Sequence, residues 1–485
     1  MDKFYITTAI DYVNASPHLG HAYEKITTDV IARWQRILGK DVFFLTGTDE
    51  NAQKNEQAAR KANIPVKTFV DKNSKKFEDL CKKLNTSHND FIRTTEERHV
   101  NVSKAIFQKL LDKGDIYKGS YEGYYCVGCE AFITEKDLVD GRCPEHGEKP
   151  EWLKEESYFF RMSKYTGFIL DLLSKKGFVQ PDYRRIEMLN RVKSEGLKDL
   201  SVSRTKLRWG ITTPNDPNHK IYVWLDALIN YISALGYPDG EKFKRYWPAD
   251  IHMIGKGINW FHSVIWPSIL KAADIEMPKT VLVHGYINLR GEKMSKSKGT
   301  VIDPLEIADK YGVDSLRYFI IKEIPFGEDG DFSEKTLVER INGELVSDLG
   351  NLVSRILTLA EKFDGKIEGR PELENKLKLE KIKKYMECYE LHLALQEIMG
   401  FVREVNKYIN QKEPWKKEGK ELGSILYNLL ESIRIISILL WPFMPGTSEE
   451  INRQIGVEKG LLKDCRFRPW EGKVKKGKHL FERIK

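Results

Sequence analysis

The sequence predicts an α/β protein built on a doubly wound parallel sheet of the Rossmann-like kind, followed by an all-α domain. Three observations predict this fold class: a strand–helix–strand pattern opens the chain, strand-like runs return after a long mixed segment, and the last third is helical throughout. Because 485 residues exceed what one hydrophobic core usually organises, we expect several domains.

The opening unit occupies the first fifty residues. Residues 4–10 are apolar and rich in β-formers, whereas apolar residues recur at helical spacing over 19–38 before a glycine stop. Residues 41–45 then resume a buried strand. Ligands of parallel sheets collect at the carboxyl ends of the strands, so we expect a binding site at residues 11–21 and 47–51.

The rest of the chain divides by composition and periodicity. A segment rich in Lys and Glu, with a cysteine cluster, interrupts the strand–helix pattern, and strand-like runs return near residues 221, 251 and 281. From about residue 335 the apolar positions follow i, i+3 and i+4. These changes predict four segments: half of the sheet domain (1–115), a connective insertion (116–220), the second half of the sheet domain with a basic loop (221–334) and a helical bundle (335–485).

Composition restricts the function classes. The longest apolar run, residues 435–444, is far shorter than the roughly 20 residues of a membrane span, and the N-terminus lacks the pattern of a secretory signal. We therefore expect a cytoplasmic protein with no membrane partner. Of the net charge of +8, residues 371–485 carry +6, which fits either a docked polyanion or a solvated helical surface.

The motif His18-Leu19-Gly20-His21 lies where the first helix is predicted to begin. Two imidazoles three residues apart at a helix N-terminus direct donors at one point, where the helix dipole favours an anion. Gly20 lets a phosphate or base approach closely. A four-residue match to such a motif often arises by chance. The alternative interpretation is that both histidines are ordinary residues of the hydrophobic core.

A second motif, Lys293-Met294-Ser295-Lys296-Ser297, follows the strand-like run near residue 281. Lysines among serines, between two glycines, make a cationic loop that can close over a polyphosphate and balance charge on its leaving group. An isolated run of this composition is usually a surface turn.

The two motifs, in this order and about 270 residues apart around one sheet, resemble the signature of class I aminoacyl-tRNA synthetases. Residues 9–21, 47–50, 222–227 and 261–263 are similar to the methionine-specific branch, and the resemblance covers essentially the whole chain. It implies activation of L-methionine by ATP with Mg²⁺, and transfer of the methionyl group to the 3′ end of tRNA(Met). The residues that would then contact ATP are His18, Gly20, His21, Lys293 and Lys296.

The resemblance also implies an amino-acid pocket. Asp49 would hold the substrate ammonium, and eight residues would surround the side chain: Ala9, Ile10, Tyr12, Trp224, Ala227, Tyr231, Ile258 and His262. Aromatic faces suit a polarizable thioether, and a hydroxyl or imidazole of this set could donate weakly to its sulfur. The chain departs from the family pattern at Asn51, Leu228 and Gly257, the last in place of an aspartate implicated in nucleotide binding.

The pattern Cys126-x-x-Cys129 followed by Cys143-x-x-His146 has the spacing of a zinc site. Three thiolates and one imidazole leave no open coordination position, so one structural Zn²⁺ per chain is expected, and unliganded thiols are the alternative. Methionine enzymes of this type carry such a zinc knuckle in the connective insertion, which matches its place here.

The helical bundle carries two segments that resemble the anticodon-reading elements of the family. Trp415 after Pro414 can offer a rigid face to an unstacked base, and Asn351 and Arg355, four apart on one helix, can bond its edge. Without the resemblance, Trp415 would be assigned to the core and the other residues to a polar surface.

Three alternatives compete with this interpretation. A small-molecule adenylyltransferase would not need the helical C-terminal region, and an inactive binding module would be expected to lose the lysines of the basic loop. Synthetases for leucine, isoleucine or valine carry a large editing insertion for which this chain has no room. Many relatives continue into an additional tRNA-binding module, so we expect any such module here to be a separate tRNA-binding subunit.

Overall fold

The computed structural model describes residues 1–129, 131–133, 135–145, 147–289, 292–293 and 302–485. Its centre is a seven-stranded parallel sheet, as the sequence predicts. Six strands lie in the spatial order Asp11–Tyr12, Asp41–Asp49, Lys3–Thr8, Ile251–Gly255, Thr280–His284 and Val179–Gln180. The seventh strand, Asp90–Arg93, pairs with Asp41–Asp49.

Both faces of this sheet are buried, which explains why its strands are almost continuously apolar. Alternate residues of a strand point to opposite faces. Ile6 and Phe44 belong to one hydrophobic core, and Tyr5 and Phe43 belong to the other. The first core continues without interruption into the C-terminal helices, so the sheet and the bundle share buried apolar surface.

Helices cover the sheet on both faces and form the C-terminal region. Those before residue 334 are Leu19–Ile37, Gln53–Lys61, Val66–Lys83, Glu97–Asp112, Thr166–Ser174, Asp182–Glu195, Val223–Leu228, Asn230–Ser233, Glu241–Tyr246, the π-helical Phe261–Ile265, Trp266–Ala272, Pro304–Tyr311 and Val313–Glu323. Those of the C-terminal region are Glu334–Arg340, the π-helical Ile341–Gly350, Asn351–Glu361, Leu379–Glu387, Leu391–Lys412, Gly419–Leu440 and Pro445–Ile455.

Smaller sheets carry the insertion and the approach to the basic loop. An antiparallel sheet contains Ala131–Ile133, Ile116–Cys126, Glu151–Phe160 and Leu200–Ser201, and a second one contains Ser203–Arg204, Asp216–Ile221 and Thr212–Thr213. The third sheet contains Glu292–Lys293, Ile287–Leu289 and Gly330–Phe332. Between Glu151–Phe160 and Leu200–Ser201, the chain joins the parallel sheet at Val179–Gln180, inside the segment that the sequence assigns to the insertion.

Among the described residues, one helix, Gly419–Leu440, is long and apolar enough by composition to cross a bilayer. Its most apolar 18-residue window is 89% buried inside the protein. The apolar run at residues 435–444 lies largely in this helix and packs against the other helices, as the sequence predicts.

A buried arginine of the sheet domain joins it to the bundle. Arg317, on the helix Val313–Glu323, donates to Asp29 Oδ2 at 2.7 Å, and both side chains are 0% exposed. Its other N–H groups donate to the carbonyl oxygens of Leu84 at 3.1 Å and Phe443 at 2.9 Å. The guanidinium therefore bonds to both parts of the molecule, and its burial is compensated by charge and by hydrogen bonds.

We expect the substitution Arg317→Leu to lower the free energy of unfolding by about 3–5 kcal/mol, because it removes one of the two arginine partners of the buried Asp29 carboxylate. It also takes a donor from the buried carbonyl oxygens of Leu84 and Phe443, whereas Arg33 stays 2.7 Å from Asp29 Oδ2. Urea denaturation followed by circular dichroism measures the loss. The matched control is Arg245→Leu, which removes an exposed ion pair with Asp41 and should cost less than about 1 kcal/mol. Equal losses from the two variants would contradict the assignment.

Candidate active site

A cavity of about 540 Å³ opens at the carboxyl ends of the central strands. The turns after Lys3–Thr8, Ile251–Gly255 and Thr280–His284 border it, together with the N-terminus of the helix Leu19–Ile37. A narrow pocket continues from this cavity to the helix Val223–Leu228, and five residues line both: Ala9, Ile10, Tyr12, Trp224 and Ile258. The site therefore lies where the parallel sheet predicts it.

Both histidines of the first motif line the cavity, and backbone groups hold their rings. The N–H of Gly20 donates to His18 Nδ1 at 3.1 Å, and the N–H of His18 donates to His21 Nδ1 at 2.9 Å, which caps the helix reciprocally. The ring centroids are 3.8 Å apart. Because Nδ1 accepts a hydrogen bond in each neutral ring, the ring proton lies on Nε2, the nitrogen that can donate to an anion.

Gly20 serves this arrangement as well as lining the cavity. A Cβ atom at Gly20 would lie 2.9 Å from Cε1 of the His18 ring, so any other residue would displace that ring. Glycine at this position therefore leaves the His18 ring, the nearer of the two imidazoles, in its place.

A buried charge cluster beneath the histidines escaped the sequence analysis. Lys25 Nζ lies 2.8 Å from Asp11 Oδ2 and 3.2 Å from Glu24 Oε1, and its side chain is 1% exposed. Glu24 Oε2 lies 3.1 Å from His284 Nε2. Burial raises the pKa of Asp11 to about 6, although Lys25 opposes the shift. Helical spacing could have revealed this cluster, because Lys25 follows His21 by four residues and so lies on the same face of the helix.

The nine residues expected around the amino acid all line the narrow pocket, together with Leu228 and Asn230. Asp49 ends its strand and is 2% exposed. The structure thus brings together residues from four separate segments of the chain, 9–12, 49, 224–231 and 258–262, spaced over more than 250 positions. Leu228, one of the departures from the family pattern, belongs to the pocket wall.

At the end of the pocket, the Tyr231 hydroxyl and His262 Nε2 are 2.7 Å apart, and His262 Nδ1 lies 3.0 Å from the carbonyl oxygen of Ile258. Because a carbonyl only accepts, Nδ1 carries the ring proton and Nε2 accepts from the phenol. Burial lowers the pKa of His262 to about 4 and raises the pKa of Tyr231. The two groups therefore bond each other, and donation from either of them to a thioether stays a prediction.

The loop that contains Gly128 and Cys129 lies against one side of the pocket. The indole Nε1 of Trp224 donates to the carbonyl oxygen of Cys129 at 3.4 Å. Lys54 Nζ lies 3.1 Å from the centroid of the Tyr12 ring and donates to the carbonyl oxygen of Gly128 at 3.4 Å. Two side chains of the pocket region therefore rest on the backbone of this loop.

A polar network lies behind the pocket. Asp226 Oδ1 is 2.6 Å from His99 Nε2, and its Oδ2 accepts from Asn51 Nδ2 at 2.7 Å. All three residues are buried. Asn51, another departure from the family pattern, thereby ties the end of the strand that carries Asp49 to the helix that carries Trp224.

Three cysteines form a candidate metal centre in the insertion. The Sγ atoms of Cys126, Cys129 and Cys143 lie within 4.8 Å of one another, and the N–H of Cys129 faces Cys126 Sγ at 3.4 Å. Such a cluster of soft donors, with a backbone N–H turned to a sulfur, could hold a metal ion. The fourth expected ligand, His146, lies outside the described residues.

The second motif is described only at its beginning. The strand Glu292–Lys293 pairs with Asn288 and Leu289, directly after the cavity wall at Ile287. The backbone of Lys293 therefore starts the basic loop beside the cavity, and Lys296 lies outside the described residues.

The bundle brings two of the remaining expected residues, Arg355 and Trp415, together. The guanidinium carbon of Arg355 lies 5.5 Å from the centroid of the Trp415 ring. Trp415 is 51% exposed and so is not a core residue, whereas Pro414 beside it is buried. Asn351, one helical turn before Arg355, is exposed.

Comparisons with known protein families agree with this architecture. The family model described as tRNA synthetases class I (M) matches residues 4–150 and 137–357. A model described as the anticodon-binding domain of tRNA ligase matches residues 375–480. The methionine–tRNA ligase of Caldanaerobacter subterraneus is 47% identical over 99% of this chain and 79% of that protein. The Bacillus subtilis enzyme of that name is 42% identical over 100% of this chain and 78% of that protein.

Solved structures are similar along the whole chain. The methionyl-tRNA synthetase of Mycobacterium tuberculosis in complex with methionyl-adenylate has a TM-score of 0.95 and 40% identity, with 100% of both chains covered. The free state of the same enzyme has a TM-score of 0.87 and 37% identity, with 100% of this chain and 99% of that chain covered.

The neutral His262 predicts acid sensitivity. An unfolded histidine has a pKa near 6.5, whereas the folded ring titrates at about 4, so between these values only the unfolded state binds the proton and stability falls as pH falls. From pH 7 to pH 5, the unfolding free energy of the wild type should fall by about 2 kcal/mol more than that of His262→Asn.

Urea denaturation at the two pH values measures this difference. The matched control is His479→Asn, because His479 is exposed and its replacement should leave the pH dependence unchanged. A pH dependence equal in the wild type and His262→Asn would mean that His262 is not buried as a neutral ring.

Proposed function

Since the chain belongs to the methionine–tRNA ligases of the class I tRNA synthetase family, we propose a residue-level account of how it activates methionine with ATP and charges tRNA. One observation carries the proposal: the nine residues expected around the amino acid line one narrow pocket, which opens into the cavity bordered by His18 and His21. An amino acid seated there has its carboxylate beside a site built for an anion.

The narrow pocket binds L-methionine. The Asp49 carboxylate pairs with the ammonium, and the aromatic walls at Tyr12 and Trp224 contact the thioether. Tyr231 and His262 close the far end as a neutral, mutually bonded pair. Shape must exclude leucine and isoleucine, because a difference of one methylene gives only about 1–3 kcal/mol.

The reaction needs positioning and charge stabilisation rather than a covalent enzyme intermediate. The methionine carboxylate attacks the α-phosphate of MgATP in line, and pyrophosphate leaves as the acyl–phosphate bond forms. The Nε2 donors of His18 and His21 bind the phosphates, and Lys293 and Lys296 balance charge on the leaving group. The terminal ribose hydroxyl of tRNA then attacks the activated carbonyl and releases AMP.

We propose that Cys126, Cys129, Cys143 and His146 hold one structural Zn²⁺. Three clustered sulfurs fit this ion, and a site with four protein ligands supplies no catalytic position. The ion would fix the loop on which Trp224 and Lys54 rest, and so would support the wall of the pocket.

Within the four segments, residues 1–115 and 221–334 form the catalytic domain together with the strand Val179–Gln180 of its sheet. The rest of 116–220 forms the insertion, and 335–485 the anticodon-binding domain. On the last segment, we propose that the exposed Trp415 ring stacks on an unstacked base of tRNA(Met), with Asn351, Arg355 and Pro414 beside it. The proximity of Arg355 to that ring supports this assignment.

Methionine-dependent exchange of pyrophosphate into ATP tests the proposed function. Exchange should prefer methionine over every other amino acid. Asp49→Asn should raise the KM for methionine roughly 100-fold with little change for ATP, since truncating one partner of a buried charge pair costs about 2–5 kcal/mol.

The matched variant His21→Asn should change kcat rather than the KM for methionine. It should lower kcat by about 10²- to 10³-fold, the loss typical of a transition-state donor, and leave the KM for methionine nearly unchanged. Exchange that favours another amino acid, or equal effects of the two variants on both constants, would contradict the assignments.

Metal content tests the zinc site independently of activity. The protein should contain one Zn²⁺ per chain by mass spectrometry, and Cys143→Ser should lose it together with part of its thermal stability. Cys388→Ser is the control, because that thiol is exposed and outside the cluster. Zinc retained in full by Cys143→Ser would refute the ligand set.

A further inference from the structure

A continuous line of buried hydrogen bonds runs behind the narrow pocket. Asn51 Nδ2 donates to Asp226 Oδ2 at 2.7 Å, and Asp226 Oδ1 lies 2.6 Å from His99 Nε2. The other nitrogen of that ring, Nδ1, lies 2.8 Å from Ser233 Oγ. All four residues are buried, and hydrogen bonds shielded from water in this way are electrostatically stronger than the same bonds at a surface.

The two ends of this line coincide with the two ends of the amino-acid pocket. Asp49, the proposed partner of the substrate ammonium, ends its strand two residues before Asn51. Tyr231, at the far end of the pocket, lies in the same short helix as Ser233, Asn230–Ser233. The line therefore connects the segment that would hold the charged end of the substrate to the segment that closes the pocket.

The helix Val223–Leu228 lies in the middle of the line. It supplies Trp224 and Ala227 to the pocket wall, and the intervening Asp226 is directed into the network. Because a carboxylate only accepts hydrogen bonds, both of its neighbours in the line donate to it. Bonds to a charged acceptor are stronger than bonds between neutral groups, so this helix is held firmly between the two ends.

We propose that Asn51 is a positioning residue that sets the length of the amino-acid pocket, and thereby selects the length of the substrate side chain. With the ammonium at Asp49 and the thioether beside Tyr231, the pocket spans an unbranched side chain from one end to the other. The separation of these two ends then distinguishes methionine from a homologue with one methylene more or fewer. The inference rests on the proposed function and names a residue that governs its selectivity.

Pyrophosphate exchange with S-methylcysteine, methionine and ethionine tests the proposal, because each of these side chains is one methylene longer than the one before. The wild type should prefer methionine over either homologue by roughly 10- to 200-fold in kcat/KM. Asn51→Ala should lower the preference over ethionine by about 3- to 10-fold, the equivalent of one hydrogen bond. A pocket whose ends can separate admits the longer side chain, so the preference over S-methylcysteine should not fall.

Two further readouts separate positioning from a purely structural role. The KM for methionine should rise in Asn51→Ala, whereas the KM for ATP should stay unchanged, because the network lies behind the amino-acid pocket. The ratio of two kcat/KM values does not depend on the concentration of active enzyme, so partial unfolding of the variant leaves it unaltered.

The matched control is Asn428→Ala. Asn428 is a fully buried asparagine of the bundle, and its Nδ2 donates to the carbonyl oxygen of Arg370 at 2.9 Å. The same substitution there removes a buried amide and should lower the free energy of unfolding comparably. The preference for methionine over ethionine should remain at the wild-type value.

A swapped pair of residues tests the link itself. Asn51→Asp places two carboxylates opposite each other and should lower the preference over ethionine at least as much as Asn51→Ala. Adding Asp226→Asn restores one amide opposite one carboxylate. The new amide can donate to the residue at position 51 while its oxygen accepts from His99, so the pair should recover part of the loss.

Wild-type selectivity in Asn51→Ala would overturn the proposal, and so would an equal change of selectivity in Asn428→Ala. Equal changes of the KM values for methionine and ATP, or additive losses in the swapped pair, would overturn it as well. Failure of the wild type to exchange pyrophosphate with methionine would instead contradict the proposed function, which distinguishes the two failures.

Discussion

The helix Leu19–Ile37 is the constraint on which the rest of the structure depends, because it connects the site to both halves of the molecule. Its N-terminus holds the two motif histidines, and 15 of its 19 residues are buried. One turn later Lys25 donates to the carbonyl oxygen of Ala9 at 3.3 Å, in the turn that lines both pockets. Farther along, Asp29 bonds Arg317, and the guanidinium carbon of Arg33 lies 4.6 Å from the ring centroid of Trp441 in the bundle.

The charges of this helix also divide the cavity into chemically different regions. Lys25 is buried between two carboxylates, and without that pairing burial would strongly disfavour all three charged forms. The far end of the amino-acid pocket carries no charge, because burial lowers the pKa of both His252 and His262. In the proposed complex, a substrate with a charged backbone and a neutral thioether would find charge at one end of the pocket only, which would orient it before the reaction.

The sequence predicted what depends on periodicity and local motifs, and missed what depends on distant contacts. The parallel sheet, the helical bundle and the nine pocket positions followed from spacing and from the family resemblance. In contrast, Val179–Gln180 is only two residues long, too short for a strand pattern, and its place comes from pairing with residues 281–282. Two further contacts join segments that the sequence does not show to be adjacent. The Tyr286 hydroxyl lies where a Cβ atom at position 257 would be, and the Tyr231 hydroxyl donates a hydrogen bond to His262.

The shared core has a consequence for how the two ends of the molecule are coupled. The helix that begins at the two motif histidines and the helices that carry the Trp415 surface belong to one continuous hydrophobic core, and close-packed interiors have low compressibility. A hinge between the domains would require Arg317 to leave the carbonyl oxygens of Pro442 and Phe443 in the bundle, which costs the desolvation of buried polar groups left unpaired. The bundle is therefore built as a rigid extension of the catalytic sheet. A tRNA bound at Trp415 would then meet the active site at a distance fixed by this packing rather than by a flexible linker.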